Sequence, residues 1–479
     1  MSSPPIRQLW DVSVPMRDGV RTSADVHFPE GGPDGGPYPT LLYRNCYNAQ
    51  MADEQAAWFA ARGYAVVLQD VRGRNDSDGF FVPIIQEVED GYDSVEWAAG
   101  QPWSTGKVGM FGASYMGWTQ LAAIKSQPPS LVTACPSVPA GRLQKLEIWN
   151  NGILMLPTIQ WHNFTGGKSL QYNTTVDWRR VMWHLPLRTM DTDALGRDMP
   201  NWRDWIDHPG RDGYWKPSIF TDEDFAAIDI PILHLGGWWD GNRNTSIWFY
   251  EGARDHAASA DQQFLLMGPW LHSTIGAGRN VGPFDFGDEA IVDVMQLQLE
   301  WFDHWLKGQD NGITERFGPA RTFVTGVNEW RSQPQWPPVS LRPEPFFLHS
   351  EGDAATVGGQ LTLDKPADEP ADVYRYDPAD PVIIMGGDWN GYPFSFAEGL
   401  QVAERYARQA AQQADDDVHD PRERADVLLF ETDPLEAPVE LQGWGEAILW
   451  AASDGPDTDW FVDVADVDPD GQRLPLSSG

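Results

Sequence analysis

Three side chains that lie far apart in the sequence have the chemistry needed to turn a hydroxyl group into a nucleophile: Ser114, Asp240 and His272. A serine hydroxyl reacts slowly until a base within hydrogen-bond distance takes its proton, and a neutral imidazole with a pKa near ~6.5 can do so at physiological pH. A carboxylate beside that imidazole fixes its tautomer and stabilises the imidazolium formed during the reaction. The three residue types therefore indicate nucleophilic catalysis through an acylated serine.

Each of these residues follows a predicted strand. The strands are predicted at 107–111, 230–235 and 263–267. Ser114 lies in Gly112-Ala-Ser-Tyr-Met-Gly117, between the first of these strands and a helix that runs to Lys125. Open α/β sheets place their catalytic groups at the carboxyl ends of the strands, so we expect the three side chains to meet there. The order Ser, Asp, His is the one used by α/β-hydrolases and the opposite of the chymotrypsin order.

The motif around Ser114 departs from the common nucleophile turn at one position. The second glycine usually stands two residues after the serine, where this chain has Met116, and Gly117 follows one residue later. The motif alone is therefore also compatible with a tight strand-to-helix turn without a catalytic role, as His272 alone is compatible with a structural histidine. An acid and a base in the matching order favour the catalytic interpretation.

The tetrahedral oxyanion of such a reaction needs fixed hydrogen-bond donors. One is the backbone N–H of Tyr115, the residue after the nucleophile. A second donor should come from the loop after the strand predicted at 39–43, and no run of glycines is present there to offer a backbone N–H. The phenolic O–H of Tyr47 is the candidate we favour, with a tyrosine that only packs in the loop as the alternative.

The elements that must position these residues change character along the chain. Residues 1–140 and 226–318 alternate short apolar strands with helices, which predicts a parallel sheet covered on both faces. Residues 141–225 are rich in tryptophan and in helical patterns broken by Gly and Pro, and we interpret them as an inserted helical cap. Residues 319–479 contain short strands between turns, which predicts a β-sandwich. Further strands are predicted at 10–14, 22–28, 64–69, 345–348, 372–376, 427–430 and 447–451, and helices at 53–62, 87–99, 290–306 and 400–414.

Composition excludes several functional classes. The 479 residues include 34 Lys and Arg against 70 Asp and Glu, and the net charge of −36 repels nucleic acid and anionic lipid. We find no secretory signal and no apolar stretch long enough to span a membrane, so we expect a cytoplasmic protein. Cys46 and Cys135 are too few for a disulfide framework, and the histidines show no metal-ligand spacing. We therefore expect no metal and no cofactor.

Tryptophans of the cap are candidates for the wall of an apolar pocket that holds a small-molecule substrate. Most tryptophans in such a number must belong to the core, so only a few can line a pocket. Our candidates are Trp149, Trp161, Trp239 and Asn242, the last two because they flank Asp240.

Six motifs give the chain a resemblance to a known family. They are Arg44-Asn-x-Tyr47, Gln69-Asp-x-Arg-Gly73, Gly112-x-Ser-Tyr-x-Gly117, Gly237-Trp-x-Asp-Gly241, Gly268-Pro-Trp-x-His272 and Asn328-Glu-Trp330. Together they resemble the CocE/NonD hydrolases, relatives of cocaine esterase and of the X-Pro dipeptidyl peptidases. The resemblance implies an α/β-hydrolase core, a helical cap and a C-terminal jelly roll. It also implies that Ser114, Asp240 and His272 are the triad and that the Tyr47 hydroxyl completes the oxyanion hole.

The sequence differs from the family in two places. The α-amino-acid ester hydrolases of this group carry acidic residues after the triad aspartate, whereas Gly241-Asn-Arg-Asn244 follows here, which disfavours that subclass. The segment 461–471 resembles a hairpin from the middle of the jelly roll, and the sequence stops at Gly479. We therefore expect either a truncated sequence or an incomplete jelly roll, whose unpaired strand edges leave association into a homo-oligomer open.

The sequence leaves alternative functions open. The leading hypothesis is a serine esterase that acts on a small-molecule ester. An X-Pro dipeptidyl peptidase, or an acylase or other amide hydrolase, would use the same triad, and so would acyl transfer to an amine. A hypothesis of another class is a carbohydrate-binding protein whose hydrolase core is inert.

Overall fold

The structure is a computed structural model that describes residues 7–141, 149–150, 152–172, 175–210, 213–281, 284–380, 424–471 and 473–479. These residues divide into two compact units. The first contains the described residues up to Pro334 together with Asp459–Gly479, and the second contains residues 335–380 and 424–458.

Strands and helices are numbered in chain order. The strands are β1 (Arg7–Pro15), β2 (Arg21–Phe28), β3 (Tyr38–Asn45), β4 (Ala65–Asp70), β5 (Ser104–Ala113), β6 (Leu131–Ser137), β7 (Trp149–Asn150), β8 (Ile153–Leu154), β9 (Ile232–Trp239), β10 (Gln263–Leu271), β11 (Asn280–Val281), β12 (Phe284–Asp285), β13 (Ala320–Val324), β14 (Glu329–Gln333), β15 (Phe347–His349), β16 (Gly359–Thr362), β17 (Phe430–Glu431), β18 (Asp463–Val467) and β19 (Arg473–Ser478). The α-helices are α1 (Asp53–Ala60), α2 (Glu87–Ala99), α3 (Tyr115–Ser126), α4 (Thr158–Thr165), α5 (Trp178–Met182), α6 (Pro200–Asp207), α7 (Asp222–Ala226), α8 (Arg243–His256), α9 (Val294–Lys307) and α10 (Ile313–Phe317).

The first unit is built on a ten-stranded sheet with the order β1-β2-β4-β3-β5-β6-β9-β10-β13-β14. The strands from β4 to β13 in this order pair in parallel, while β1, β2 and β14 pair antiparallel at the two edges. The prediction of a parallel sheet is therefore confirmed for the central strands. The strands β5, β9 and β10, which precede the candidate triad residues, all belong to this parallel part.

Strand β4 shows how the sheet comes to be covered on both faces. Every residue of this strand is buried, and successive side chains point to opposite faces. Val67 belongs to the hydrophobic cluster that contains Val95 of α2, whereas Val66 belongs to the cluster that contains Phe59 of α1 and Phe302 of α9. A continuous apolar run is what a strand buried on both faces requires.

The segment between β6 and β9 contains α4 to α7 and the short β7–β8 pair. Its hydrophobic cluster includes Ile159, Val181, Met190, Met199 and Trp202. No helix among the described residues is long and apolar enough to cross a membrane.

The large sheet continues past residue 318, where we predicted the core to end. Strand β13 pairs in parallel with β10, and β14 pairs antiparallel with β13. The hairpin of β18 and β19 also belongs to the first unit. The sequence showed short strands and turns after residue 318, but such a pattern does not show which sheet a strand joins, and β13 joins the large sheet through β10.

The second unit contains a three-stranded sheet in the order β15-β16-β17. Strands predicted at 345–348 and 427–430 have counterparts in β15 and β17, but the predictions at 372–376 and 447–451 are wrong, since neither segment forms a strand. Asp372 instead accepts hydrogen bonds from Ser350 and from the Ala354 N–H, so its segment is held by side-chain bonds rather than by a ladder. In the other segment Trp450 is 95% exposed, and a run of apolar residues favours a strand only where its side chains pack. The helix predicted at 400–414 lies outside the described residues.

Candidate active site

Ser114 occupies the sharp turn between β5 and α3. Its backbone has φ 62° and ψ −121°, a conformation that residues other than glycine rarely adopt. Such strain persists only where the surrounding structure enforces it, and it is common at catalytic turns. Here the Ser114 N–H donates to the Ser137 carbonyl at 2.9 Å, and the Ser114 carbonyl accepts the first helical hydrogen bond of α3 from Trp118 at 3.0 Å.

The two glycines of the motif explain why the turn tolerates an unusual spacing. Gly112 has φ 134°, and a Cβ at this residue would lie 2.5 Å from the Cβ of Met116. A Cβ at Gly117 would lie 2.8 Å from the Cα of Pro139, so helix α3 approaches the Pro139 backbone closely at residue 117, while Met116 takes the space beside Gly112. The shifted glycine therefore serves the close packing that the turn needs.

Asp240 and His272 lie just beyond the carboxyl ends of the adjacent parallel strands β9 and β10. The His272 Nδ1 and the Asp240 Oδ2 are 2.7 Å apart, and the Asp240 side chain is fully buried. The second oxygen of this carboxylate accepts the backbone N–H of Asn242. An ionised carboxylate can only accept hydrogen bonds, so we assign the imidazole proton to Nδ1, which leaves Nε2 as the basic nitrogen.

A strip of hydrogen bonds connects the Ser114 turn with the Asp240 loop. Strand β6 pairs with β5 on one side and with β9 on the other, with Ser137 opposite Ala113 and Leu235. Ser137 accepts from the Ser114 N–H, and the next carbonyl, that of Val138, accepts from Asn242 Nδ2 at 3.0 Å. The ends of β5, β9 and β10 thus lie along one edge of the sheet, as the sequence predicted.

Tyr47 lies in the loop that follows β3 and is buried. The indole Nε1 of Trp161, on helix α4, donates to the Tyr47 hydroxyl oxygen at 3.1 Å. The backbone of Tyr47 is held on both sides, because its N–H donates to Asn45 Oδ1 at 2.8 Å and its carbonyl accepts from Asn75 Nδ2 at 3.2 Å. Since an indole N–H can only donate, the Trp161 contact does not use the proton of the phenol.

Tyr115 is the first residue of α3, so its backbone N–H has no acceptor within the helix and lies at the positive end of the helix dipole. Its side chain is fixed separately: the hydroxyl donates to Glu87 Oε1 at 2.8 Å and accepts the Ile84 N–H at 3.0 Å. Glu87 in turn lies 2.9 Å from the Arg44 guanidinium. Burial raises the pKa values of both Tyr115 and Glu87.

Two of our four pocket candidates, Trp149 and Trp161, lie near Tyr47 and Tyr115 in the structure. Trp161 stacks on Tyr115, with ring centroids 6.0 Å apart, as well as bonding to Tyr47. Half-buried Trp149 donates to the carbonyl of Trp205, whose ring in turn stacks on Trp161 at 5.8 Å. These two candidates therefore belong to the aromatic cluster around Tyr47 and Tyr115.

The other two candidates, Trp239 and Asn242, bind other parts of the protein with their side chains. Trp239 stacks on Phe286 at 5.0 Å and donates to the Pro475 carbonyl at 2.7 Å, within a cluster that includes Leu474. Asn242 is buried and uses its side chain on the Val138 carbonyl. Our expectation that flanking residues of Asp240 line a pocket did not take account of the C-terminal hairpin that covers Trp239.

Several residues that support the site were missed by reasoning from the sequence. Asp70 accepts from the Ala49 N–H and from Asn75 Nδ2, both at 2.8 Å, and burial raises its pKa to about 6. Arg44 and Glu87 form a buried ion pair next to Tyr115. One signal in the sequence could have identified Arg44 and Asp70. Each is a charged residue directly beside an apolar strand, and each belongs to one of the six motifs. Within the described ranges, no group of three or more His, Cys, Asp or Glu side chains is arranged to hold a metal ion.

The central parallel sheet, with helices on both faces and the Ser114 turn at its carboxyl edge, defines an α/β-hydrolase. Residues 18–274 match the model of the X-Pro dipeptidyl-peptidase (S15) family, and residues 311–479 match the X-Pro dipeptidyl-peptidase C-terminal non-catalytic domain. The chain belongs to this S15 family of hydrolases, which confirms the resemblance seen in the motifs.

Individual proteins agree with this assignment. The chain is 32% identical to cocaine esterase from Rhodococcus sp. (strain MB1 Bresler) over 98% of its own length and 82% of that protein. It shares the fold of an aminopeptidase from the marine sediment archaeon Thaumarchaeota archaeon, with a TM-score of 0.71, 22% identity, and coverage of 99% of this chain and 81% of the other. A CocE/NonD family hydrolase from Staphylococcus aureus has a TM-score of 0.56, 19% identity, and coverage of 76% and 61%.

Proposed function

We propose that this protein hydrolyses carboxylic esters of small molecules through an acyl-enzyme formed on Ser114. His272 acts as the general base and acid, and Asp240 orients its imidazole. The observation that carries the proposal is the 2.7 Å contact between His272 Nδ1 and Asp240 Oδ2, which leaves Nε2 to take a proton. The strained Ser114 turn lies at the same edge of the sheet, which further supports the proposal.

In the first half of the reaction, Ser114 Oγ attacks the ester carbonyl carbon while His272 Nε2 takes its proton. The carbonyl oxygen becomes an oxyanion that accepts hydrogen bonds from the Tyr115 N–H and the Tyr47 O–H. Collapse of this intermediate breaks the bond to the alcohol, which leaves with the proton from His272. Water then attacks the acyl-enzyme by the same steps, releasing the acid and restoring Ser114.

The preference for esters is supported by the relative with 32% identity, which is named cocaine esterase. The rings of Tyr115, Trp161 and Trp205 stack in that order and are buried, and in this proposal they form an apolar side of the site next to Tyr47. The family model is named for an X-Pro dipeptidyl peptidase, so the experiment must compare ester with X-Pro amide substrates.

The test measures hydrolysis of p-nitrophenyl acetate and p-nitrophenyl benzoate by the wild-type protein and by Ser114→Ala. We expect turnover by the wild type and rates near the uncatalysed reaction for the variant, with unchanged circular dichroism. Ser273→Ala is the matched control, because Ser273 is exposed and lies next to His272. Comparable turnover by Ser114→Ala would contradict Ser114 as the nucleophile.

Two further measurements separate the alternatives. Turnover of X-Pro p-nitroanilides without turnover of the esters would assign the protein to the peptidase branch. A fluorophosphonate probe should label wild type and Ser273→Ala but not Ser114→Ala. Absence of labelling in the folded wild-type protein would instead support an inert core with a binding function.

A further inference from the structure

Arg74 is a fully buried cation whose Nε and Nη1 bond to backbone carbonyl groups and whose guanidinium carbon lies 5.4 Å from the centre of the Phe81 ring, while Nη2 has no hydrogen-bond partner among the described residues. Its Nε donates to the Cys46 carbonyl at 2.5 Å, and its Nη1 donates to the Thr165 carbonyl at 2.5 Å and to the Gly167 carbonyl. In the part of the chain that the structure describes, Arg74 forms no ion pair with a carboxylate. Burying a charge is unfavourable unless hydrogen bonds compensate for the lost hydration. The groups that Arg74 binds should therefore show what the buried guanidinium does for the structure.

The carbonyl groups that Arg74 binds belong to the two segments that hold Tyr47. The Cys46 carbonyl is part of the peptide unit that joins Cys46 to Tyr47, so the Nε contact fixes the backbone immediately before Tyr47. Thr165 and Gly167 lie at and just beyond the end of α4, the helix that carries Trp161. Trp161 donates to the Tyr47 hydroxyl oxygen. One guanidinium therefore joins the backbone next to Tyr47 to the helix that contacts its hydroxyl.

Asn75, the next residue, makes the same kind of connection. Its side-chain amide donates to the Tyr47 carbonyl at 3.2 Å, and its backbone N–H donates to the Lys168 carbonyl at 2.6 Å. The segment of Arg74 and Asn75 thus binds the carbonyl groups on both sides of the Tyr47 Cα and the backbone that follows α4. Arg74 supplies the contacts that need a rigid, forked donor, which a lysine ammonium cannot reproduce.

We propose that Arg74 is a positioning residue that sets the direction of the Tyr47 hydroxyl by fixing both the Tyr47 backbone and helix α4. This inference rests on the proposed function, in which the Tyr47 O–H stabilises the oxyanion. Donors of an oxyanion hole act only when they are already in place, so a small displacement of Tyr47 weakens the transition state more than the bound substrate. The Arg74 contacts should therefore affect kcat and have little effect on KM.

The test is a double-mutant cycle between Arg74 and Tyr47, measured as kcat and KM on a p-nitrophenyl ester. We expect Arg74→Gln to lower kcat by about 10- to 100-fold, with KM within about 3-fold of wild type. In a Tyr47→Phe background, where the hydroxyl is already absent, the same substitution should change kcat by less than about 3-fold, because residues that act as a unit are not additive. Arg74→Lys should fall between wild type and Arg74→Gln.

Arg72→Gln is the matched control. Arg72 lies two residues before Arg74 and binds Asp90 and Asp18, neither of which belongs to the Tyr47 loop or to α4. Its substitution should leave kcat within about 2-fold of wild type, which is a much smaller change than the loss of a transition-state contact produces. Circular dichroism and thermal melting establish that each variant is folded, and the cycle is completed with Arg74→Lys if Arg74→Gln does not fold.

Three results would overturn the inference: additive losses in the two backgrounds, a loss confined to KM, or an equal loss in Arg72→Gln. An unchanged kcat in Tyr47→Phe would also overturn it, because the hydroxyl would then have no role for Arg74 to support. Full activity of Ser114→Ala is a separate outcome that rejects the proposed function itself. If Ser114→Ala is inactive and the losses are additive, the proposed function stands and only the role of Arg74 fails.

Discussion

Trp161 donates its indole N–H to the hydroxyl oxygen of Tyr47 at 3.1 Å, and this hydrogen bond connects helix α4 with the loop that follows strand β3. The two residues are 114 positions apart in the chain. The contact makes the direction of the Tyr47 hydroxyl depend on the segment between β6 and β9. In the proposed function, Trp161 therefore has two roles: its ring packs beside Tyr115, and its N–H orients the hydroxyl that donates to the oxyanion.

Replacing Trp161 by phenylalanine should separate these two roles. Trp161→Phe keeps an aromatic ring beside Tyr115 but removes the donor to Tyr47, so we expect kcat on p-nitrophenyl acetate to fall by about 10-fold, as expected for one lost hydrogen bond that orients a reacting group. Trp205→Phe is the matched control, because Trp205 stacks on Trp161 while its own Nε1 has no partner in the described part of the chain. An equal fall in both variants would assign the effect to packing.

The conformation of Ser114 leads to a prediction about stability. At φ 62° and ψ −121° an alanine keeps the backbone strain, whereas a glycine relieves it. Both Ser114→Ala and Ser114→Gly should be inactive, but the glycine variant should have a free energy of unfolding about 1 kcal/mol higher than the alanine variant. Urea denaturation of both proteins measures the difference. A less stable glycine variant would show that the turn is not strained.

Asp240→Asn tests the carboxylate without changing its shape. An asparagine can present its N–H₂ group to His272 and so favour the tautomer with the proton on Nε2, which cannot accept the Ser114 proton. We expect kcat to fall by about 10³- to 10⁴-fold with little change in KM. Asp261→Asn provides a control on a carboxylate that lies before β10. Near-normal turnover by Asp240→Asn would remove Asp240 from the triad.

The sequence predicted those parts of the fold whose signals are local. The helix expected at 87–99 has the bounds Glu87–Ala99 in the structure, because apolar and polar residues there follow the helical period. The strand expected at 64–69 is β4, whose continuous apolar run matches burial on both faces. The strand ends that carry Ser114, Asp240 and His272 followed from these local patterns together with the rule for parallel sheets.

The parts that escaped prediction depend on partners that are distant in the chain. Trp239 was expected in a pocket, but its indole bonds to the Pro475 carbonyl, more than two hundred positions later. The buried pair of Arg44 and Glu87 likewise joins a strand end to a helix start that local patterns treat separately. The spacing of Gly117 became understandable only when its approach to Pro139 was known. Periodicity reports the face that a residue presents, not the element that covers it.

Asp70 should make the stability of the protein depend on pH. Burial raises its pKa to about 6, whereas an unfolded aspartate titrates near about 3.9. Between these two values the folded protein holds a proton that the unfolded chain does not, so the stabilisation from this group is fully present below about pH 4 and is lost as the pH rises through about 6.

Asp70→Asn isolates this contribution. An asparagine oxygen can still accept the bonds from the Ala49 N–H and from Asn75, but the side chain cannot ionise. Relative to wild type, the variant should gain about 2 kcal/mol in the free energy of unfolding between pH 4 and pH 7. Urea denaturation at four pH values in this range measures the gain, and Asp34→Asn, at an exposed position, should show none. A difference between Asp70→Asn and wild type that does not change with pH would mean that Asp70 titrates normally in the folded protein.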